Sequence, residues 1–315
     1  MSGPFDNDPS GRDASATGAP AADASGIDAR RVRRTFGRAA PAYERTAVLQ
    51  REVGTRLLER LDYLDGRAPA RILDVGAGPG PSVAALRARF ARSEIIALDL
   101  ALPMLQLARK RGGWLRPARA LCADARALPL ADASIDVLLS NLCLQWVEDL
   151  PAVFAEFRRV LRPGGLLLVS TFGPDTLLEL REAFAAADAL QHVSRFAPIQ
   201  AVGDALLAAG LRDPVLDQEE FTLTYADVPA LMRELRAIGA THAGSDRRRT
   251  LTGRARMQRV FAAYEPLRRE GVLPSTWQVV YAHAWGAPPG QPERGAGGEI
   301  ARFPADRIPV RRRGG

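Results

Sequence analysis

The chain is poor in lysine, histidine and cysteine, and it has no long apolar run. Lys110 is the only lysine in 315 residues, although lysine and arginine together number 43. Positive charge is therefore carried by guanidinium groups, which stay ionised at any working pH. His192, His242 and His283 are the only histidines. Chemistry that needs an imidazole base has few candidates, and no metal site is expected. His283, in an alternating apolar segment, reads as a packed structural residue. Two cysteines, Cys122 and Cys143, allow at most one bridge and sit inside apolar segments. They read as buried, reduced thiols of a cytoplasmic protein. No apolar run approaches the ~20 residues of a membrane span. Residues 1–29 lack the apolar core of a signal peptide, and Asp6, Asp8, Asp13, Asp23 and Asp28 argue against a mitochondrial transit peptide.

The rest is globular in character, with 47% hydrophobic and 25% charged residues. The net charge of +7 favours acidic partners through long-range steering. Nucleic acid, anionic lipid and an acidic protein all fit that charge. Residues 1–29 are Ala-, Gly-, Ser- and Asp-rich and are expected to be disordered. Leu49, Val53, Leu57 and Leu61 recur every four residues and mark one helix face. Strands are predicted over 70–75, 94–98, 119–122, 135–140 and 166–172. Helices are predicted over 81–90, 103–110 and 150–161, with a turn at "RPGG", 162–165. This alternation implies a mostly parallel α/β sheet covered on both faces. Beyond 173 come helices at 175–187, 199–209, 228–238 and 254–268, and strands at 215–225 and 276–285. Helices between the last two strands are expected to form a lid, about 226–270. Residues 286–315, Pro- and Gly-rich and ending "VRRRGG", read as a flexible basic tail.

The stretch "RILDVGAGPG", 71–80, ends an apolar run in an acid and follows it with Gly76, Gly78 and Gly80. Glycines at a strand-to-helix turn let a ligand touch backbone, as a pyrophosphate does at a helix N-terminus. Three carboxylates narrow the choice. Asp74 stands before the loop, where it would attract an ammonium. Asp99 ends the next strand, where it would accept from two ribose hydroxyls. Asp124 ends the third, within reach of an adenine amino group. Ammonium, ribose and adenine together describe S-adenosylmethionine. The competing reading makes each aspartate a cap of the helix that follows.

Across 71–172, "LDVGAGPG", "ALDL", "CADARALPL", "IDVLLSNLCLQW" and "LRPGGLLLVSTF" resemble the class I S-adenosylmethionine-dependent methyltransferases. The resemblance implies a Rossmann-like, seven-stranded, mostly parallel sheet with a helical lid. It also implies that Asp74, Gly76, Gly78 and Gly80 line the methionine end, and that Asp99 holds the ribose. Leu100 and Met104 would flank the adenine, Asp124 and Ala125 would lie at its edge, and Asn141 would close the floor. S-adenosylhomocysteine would be the by-product.

The flanks carry the acceptor. "FGRAAPAYERTAVLQREV" (36–53), "STFGPDTLLELREAF" with "HVSRF" (170–196), and "IGATHAGSDRRRTLTGRARMQRV" with "LPSTWQVVYAHAW" (238–285) resemble the malonyl-acyl-carrier-protein O-methyltransferase family. That resemblance spans 30–285. It implies methyl transfer to the carboxylate of a malonyl thioester, the first step of pimeloyl synthesis for biotin. A carboxyl group of pKa ~4 is already ionised at neutral pH, so no general base is needed. Arg195 in "HVSRF" is the expected partner of the substrate carboxylate, a guanidinium matching it in two-pronged geometry. The alternative for Arg195 is a surface ion pair. Cover helices are expected over 30–65, with Tyr43 folded over the cofactor. Trp146 and Phe172 are expected as apolar pocket walls, or else as plain core. Arg247, Arg248, Arg249, Arg254, Arg256 and Arg259 would steer an acidic acyl carrier protein. Nucleic acid is disfavoured, because few aromatics interleave with the arginines. Two other readings stay open: a small-molecule methyltransferase of quinone type, and a likeness to complex I assembly factors, one of them an arginine hydroxylase.

Overall fold

The computed structural model describes residues 27–111, 113, 117–240 and 253–288, and the backbone of 293–295 and 298–300. Five parallel strands come first: β1 (Arg71–Val75), β2 (Glu94–Asp99), β3 (Arg119–Cys122), β4 (Ile135–Asn141) and β5 (Leu161–Phe172). Two long strands follow, β6 (Arg212–Tyr225) and β7 (Leu273–Trp285), and the sheet order is β3-β2-β1-β4-β5-β7-β6. β7 runs antiparallel to both β5 and β6.

Alternation along the strands divides the core. Ile72, Val137, Leu139, Leu166 and Leu168 join one buried cluster, while Leu73, Leu138, Leu167 and Val169 join another on the opposite face. Both faces of these strands are buried, which explains their continuous apolar runs. The first cluster is covered by α2 (Val48–Glu59), α3 (Pro81–Arg89), α4 (Leu102–Arg111), α6 (Leu178–Ala187), α8 (Val228–Ala237) and α9 (Arg254–Tyr264). The second is covered by α5 (Leu150–Val160) and α7 (Ile199–Ala208), through Val153, Phe154, Phe157, Val202 and Leu206. Burying each such side chain contributes roughly 1.5–3 kcal/mol. The four-residue spacing of Leu49, Val53, Leu57 and Leu61 lies on the buried face of α2 and the turn after it.

α1 (Ala29–Thr46) starts where Asp28 accepts the Arg31 N–H at 3.0 Å. It packs beside α4 and against α8, where the Cβ position of Gly239 falls 3.2 Å from Phe36.

Three expectations are corrected. "RPGG" does not separate helix from strand: 161–172 is one strand, interrupted by a bulge between the Leu161 and Leu166 pairings. The Gly164 N–H donates to Gly286 O and the Gly286 N–H to Gly165 O, both at 2.8 Å, so the chain after β7 completes the irregular ladder. α6 begins at Leu178 rather than 175, because Leu177 adopts a left-handed φ of 57°. The tail beyond 286 contains a two-stranded ribbon, β8 (Glu293–Gly295) and β9 (Gly298–Ile300). The segments 1–26 and 241–252, which hold most of the expected disordered leader and part of the expected lid, lie outside the described residues.

Gly80 sits at φ 83°, and a Cβ there would lie 2.7 Å from the Cα of Ala108 in α4. Gly271 has nearly the same φ, 82°, with nothing within 4 Å of its Cβ position. Gly271→Ala should therefore cost about 1 kcal/mol, the left-handed penalty alone. Gly80→Ala should cost about 2 kcal/mol or more, because overpacking is added. Urea denaturation of the two variants measures the difference; equal costs would contradict the close approach of α3 and α4.

Candidate active site

Strand order reverses at β1, with β2 on one side and β4 on the other. In open α/β sheets ligands bind in the crevice at such a point, beyond the strand C-termini. A cavity of about 900 Å³ lies there. Of the residues expected to bind cofactor, Gly76, Gly78, Asp99, Leu100, Met104, Asp124, Ala125 and Asn141 line it, as do Tyr43 and Trp146. Asp74 lines an adjoining cavity, shared with Tyr43, Gly76, Gly78 and Asn141.

The glycines divide the work. The Gly76 N–H donates to Leu98 O at 2.8 Å, and a Cβ at Gly76 would strike the Cβ and Sγ of Cys143 at 2.5 Å. Gly78 has φ 55° and open space at its Cβ position, which leaves its backbone exposed to the cavity. Gly80 lines neither cavity; its role is the close contact with α4 described above.

Asp99 is the hub. Its Oδ2 accepts the Gly78 N–H at 2.9 Å and its Oδ1 the Ala101 N–H at 2.7 Å. Burial pushes its pKa up, and these backbone N–H groups hold it back. Each carboxylate oxygen has two acceptor sites, so two remain for a vicinal diol. Asp74 is 1% exposed, and its Oδ2 has no hydrogen-bond partner. Burial, with Asp99 nearby, pushes its pKa up to about 7. Strand alternation explains the burial, since Asp74 shares a face with Ile72, beneath α2 and α3. A buried, orphaned carboxylate suits a cationic ligand group.

Asn141 is set by two neighbours. Its Oδ1 accepts from Ser170 Oγ at 2.8 Å, and its Nδ2 donates to Gln50 O at 2.9 Å. Leu142 follows with φ 46°, a strained turn of the kind that collects at functional sites. Asp124 is engaged locally: Arg126 donates to it from Nε at 3.1 Å and from Nη2 at 2.7 Å, and these bonds hold its pKa low. Tyr43 is half-buried; burial, then Asp99 and Cys143, raises its pKa, so its hydroxyl is a donor rather than a base. The residues present thus fit S-adenosylmethionine: an orphaned carboxylate for its ammonium, a diol acceptor, and an apolar slot at Leu100 and Met104.

A further cavity of about 500 Å³ shares one wall residue, Trp146, with the first. Its walls include Phe172, Phe196 and Trp277, with Phe172 packed 5.6 Å from Phe196 and 5.2 Å from Trp277 between ring centroids. Arg195 is not among its walls and is exposed. Its neighbours Val193 and Phe196 do line the chamber. Of the arginine group, Arg254 and Arg259 are exposed on α9, whereas Arg256 turns inward, its Nε 2.9 Å from Asp188 Oδ2. Arg247, Arg248 and Arg249 lie outside the described residues.

The expectation of buried thiols holds in part. Cys122 is exposed, whereas Cys143 lines the main cavity, and burial pushes its thiol up to about 12. Sequence reasoning missed the packing role of Cys143. It also missed Val32 and Phe36 of α1 as cavity walls and His192 in the aromatic chamber. The clash at Gly76 is tertiary and leaves no local signal, while the apolar Val32 and Phe36 sit inside a segment already read as a cover. Among the described residues no group of three or more His, Cys, Asp or Glu is placed to hold a metal ion. No described helix is long and apolar enough to cross a membrane.

The sheet and the glycine–carboxylate site define a class I S-adenosylmethionine-dependent methyltransferase, and a methyltransferase-domain family matches residues 73–169. Solved structures share the fold. A methyltransferase of Bacillus halodurans aligns with TM-score 0.53 at 17% identity, over 74% of this chain and 100% of its own. One from Haloferax volcanii, in complex with the activator Trm112, aligns with TM-score 0.52 at 18% identity, over 82% and 98%. Sequence relatives are much nearer. The malonyl-[acyl-carrier protein] O-methyltransferase of Xylella fastidiosa is 58% identical over 91% of this chain and 98% of the relative. That of Gallionella capsiferriformans is 47% identical over 82% and 91%. The chain belongs to the malonyl-[acyl-carrier protein] O-methyltransferase family.

Asp74 makes a stability prediction. Its pKa is raised from an unfolded value of ~3.9 to about 7, so the native state binds the extra proton. Stability then falls as pH rises from about 4 through 7, and stays lower above. Asp74→Asn should stabilise the ligand-free protein at pH 8, and less so at pH 5. Thermal unfolding at both values reads this; an equal gain at both would contradict the buried, uncompensated carboxylate.

Proposed function

We propose that this chain methylates the free carboxylate of a malonyl thioester carried on an acyl carrier protein, as the first step of pimeloyl synthesis for biotin. The observation that carries this is the 58% identity to a malonyl-[acyl-carrier protein] O-methyltransferase over nearly the full length of both chains. When bound, S-adenosylmethionine supplies an electrophilic methyl and a positive charge at its sulfonium. Asp74 faces the ammonium, Asp99 accepts from the ribose, and Leu100 and Met104 flank the adenine with Asp124 and Ala125 at its edge. Asn141, fixed by Ser170 and Gln50, forms the floor. Gly76 and Gly78 keep the loop thin beside the methionine end.

The aromatic chamber takes the acyl group, its carboxylate at the Trp146 end. Among the described residues that line the chamber there is no arginine or lysine, and a carboxylate left unpaired there keeps its nucleophilicity. Phe172, Phe196 and Trp277 exclude water, and α1 covers the cofactor through Val32 and Phe36. Tyr43, between two cavities, donates a hydrogen bond toward the reacting groups. Ordered approach of this kind is worth ~7–11 kcal/mol. An apolar chamber without a cation also suits a neutral ring, which is the observation favouring a quinone-type acceptor as a second reading.

Labelled S-adenosylmethionine, offered with malonyl-carrier protein or with a phenolic quinone precursor, separates the two. Methyl ester on malonyl is expected; label on the phenol alone would reverse the reading. Rescue of a biotin-requiring strain that lacks its malonyl-methylating enzyme should follow.

For the carrier, the exposed Arg254 and Arg259 on α9 form the docking lip. Arg254→Glu with Arg259→Glu should raise KM for malonyl-carrier protein several-fold and leave malonyl-coenzyme A nearly unchanged. The difference should shrink with salt, since screening acts over ~8–10 Å. Equal loss on both substrates would exclude docking as the role of these arginines.

A further inference from the structure

Among the described residues that line the aromatic chamber, His192 is the one ionisable group. Two contacts hold that ring. Phe184 stacks on it, with centroids 4.2 Å apart and planes at 20°. Its Nε2 lies 2.8 Å from Asp188 Oδ1. Asp188 in turn is anchored by the Leu190 N–H at 3.0 Å and by Arg256, whose Nε is 2.9 Å from Oδ2. Burial works against ionising Asp188, but the Leu190 N–H, His192 and Arg256 outweigh it and keep the carboxylate below its usual range. An ionised Asp188 requires a donor, so the proton sits on Nε2. Nδ1 is left as the working atom, and it has no hydrogen bond among the described residues. A ring held on one edge and one face in the lining of a cavity is placed to meet a ligand.

The substrate's own chemistry says which part arrives there. The carboxylate must point toward the cofactor, at Trp146, which walls both cavities. The thioester and the pantetheine arm then run back through the chamber. The first polar group past the sulfur is an amide N–H, two methylenes on. An imidazole whose one proton is on Nε2 offers Nδ1 as an acceptor to such a donor.

We propose that His192, oriented by Asp188 and Arg256, binds the first amide N–H of the pantetheine arm and so selects pantetheine-borne malonyl groups. This rests on the malonyl-methylating reading given above. Nearby, Arg259 also donates to Ala187 O at 3.1 Å.

The test compares two acceptors, malonyl-pantetheine and malonyl S-ethyl thioester, which lacks the amide. His192→Phe keeps the stack on Phe184 and removes both nitrogens. KM for malonyl-pantetheine should rise about 3- to 10-fold, the range of one neutral hydrogen bond. KM for the ethyl thioester, kcat on both, and the affinity for S-adenosylmethionine should stay within about 2-fold. His192→Gln, whose amide can give its N–H to Asp188 and accept with its oxygen, should recover most of the loss on malonyl-pantetheine. An equal rise on both thioesters would reduce His192 to a shaping residue, and no rise on either would remove it from the site; both overturn the proposal. If His192→Phe loses cofactor affinity through misfolding, His192→Asn carries the same comparison. Failure of the wild-type protein to methylate either malonyl compound would instead sink the underlying reading, and is recognised before any variant is made.

Discussion

The carboxylate of Asp99 joins two turns that would otherwise be independent. One oxygen takes the Gly78 N–H of the loop after β1, and the other takes the Ala101 N–H at the start of α4. Both turns sit at the point where the sheet reverses direction, so their spacing sets the width of the crevice. The loop can come this close only because its residues have no side chain. A Cβ at Gly76 would collide with Cys143, and one at Gly80 with α4. Everything that lines the main cavity is placed relative to this pair of turns. A buried acceptor that also steadies the backbone loses little ordering entropy when a ligand arrives, which is the physical meaning of preorganisation.

The same region accepts a cost. Asp74 is buried without a partner for one oxygen, and its neighbourhood already contains Asp99. Two carboxylates near one another in a dry crevice oppose each other's ionisation. That arrangement disfavours the ligand-free protein and favours a cation, so binding relieves what folding left unfavourable. Leu142, in left-handed backbone at the end of β4, adds local strain at the same place. Stability is given up where the cofactor would return it.

Arginine serves two different ends in this chain. Most described arginines are used internally. Arg60 forks onto Asp217 at 2.6 and 2.7 Å and tucks α2 against the antiparallel edge. Arg159 ties Glu156, Asp132 and two loop carbonyls together beside β4. Arg256 props Asp188 behind the chamber. Net charge therefore overstates the cationic surface offered to a partner, and the exposed arginines of α9 matter more than the total. The described walls of the aromatic chamber, by contrast, include no guanidinium.

Much of the cofactor half was legible in the linear chain. Strand-length apolar runs, glycines at 76, 78 and 80, and acids at the ends of three strands are local signals, and parallel pairing puts strand ends on one edge whatever the loops do. That is why Asp74, Asp99, Leu100, Met104, Asp124, Ala125 and Asn141 all reach the cavities beside β1. The acceptor half was not legible in the same way. Arg195 carries the right chemistry for a carboxylate, and it is exposed while its neighbours Val193 and Phe196 line the chamber. His192, three residues earlier, enters the chamber because Phe184 and Asp188 of another segment hold its ring. The linear order determined the kind of sheet and the edge on which a ligand must sit, since side-chain alternation and glycine's backbone freedom are properties of neighbours in sequence. Only the tertiary packing decided which arginine turned in, which glycine faced a cavity and which met a helix, because those outcomes depend on atoms brought together from distant parts of the chain.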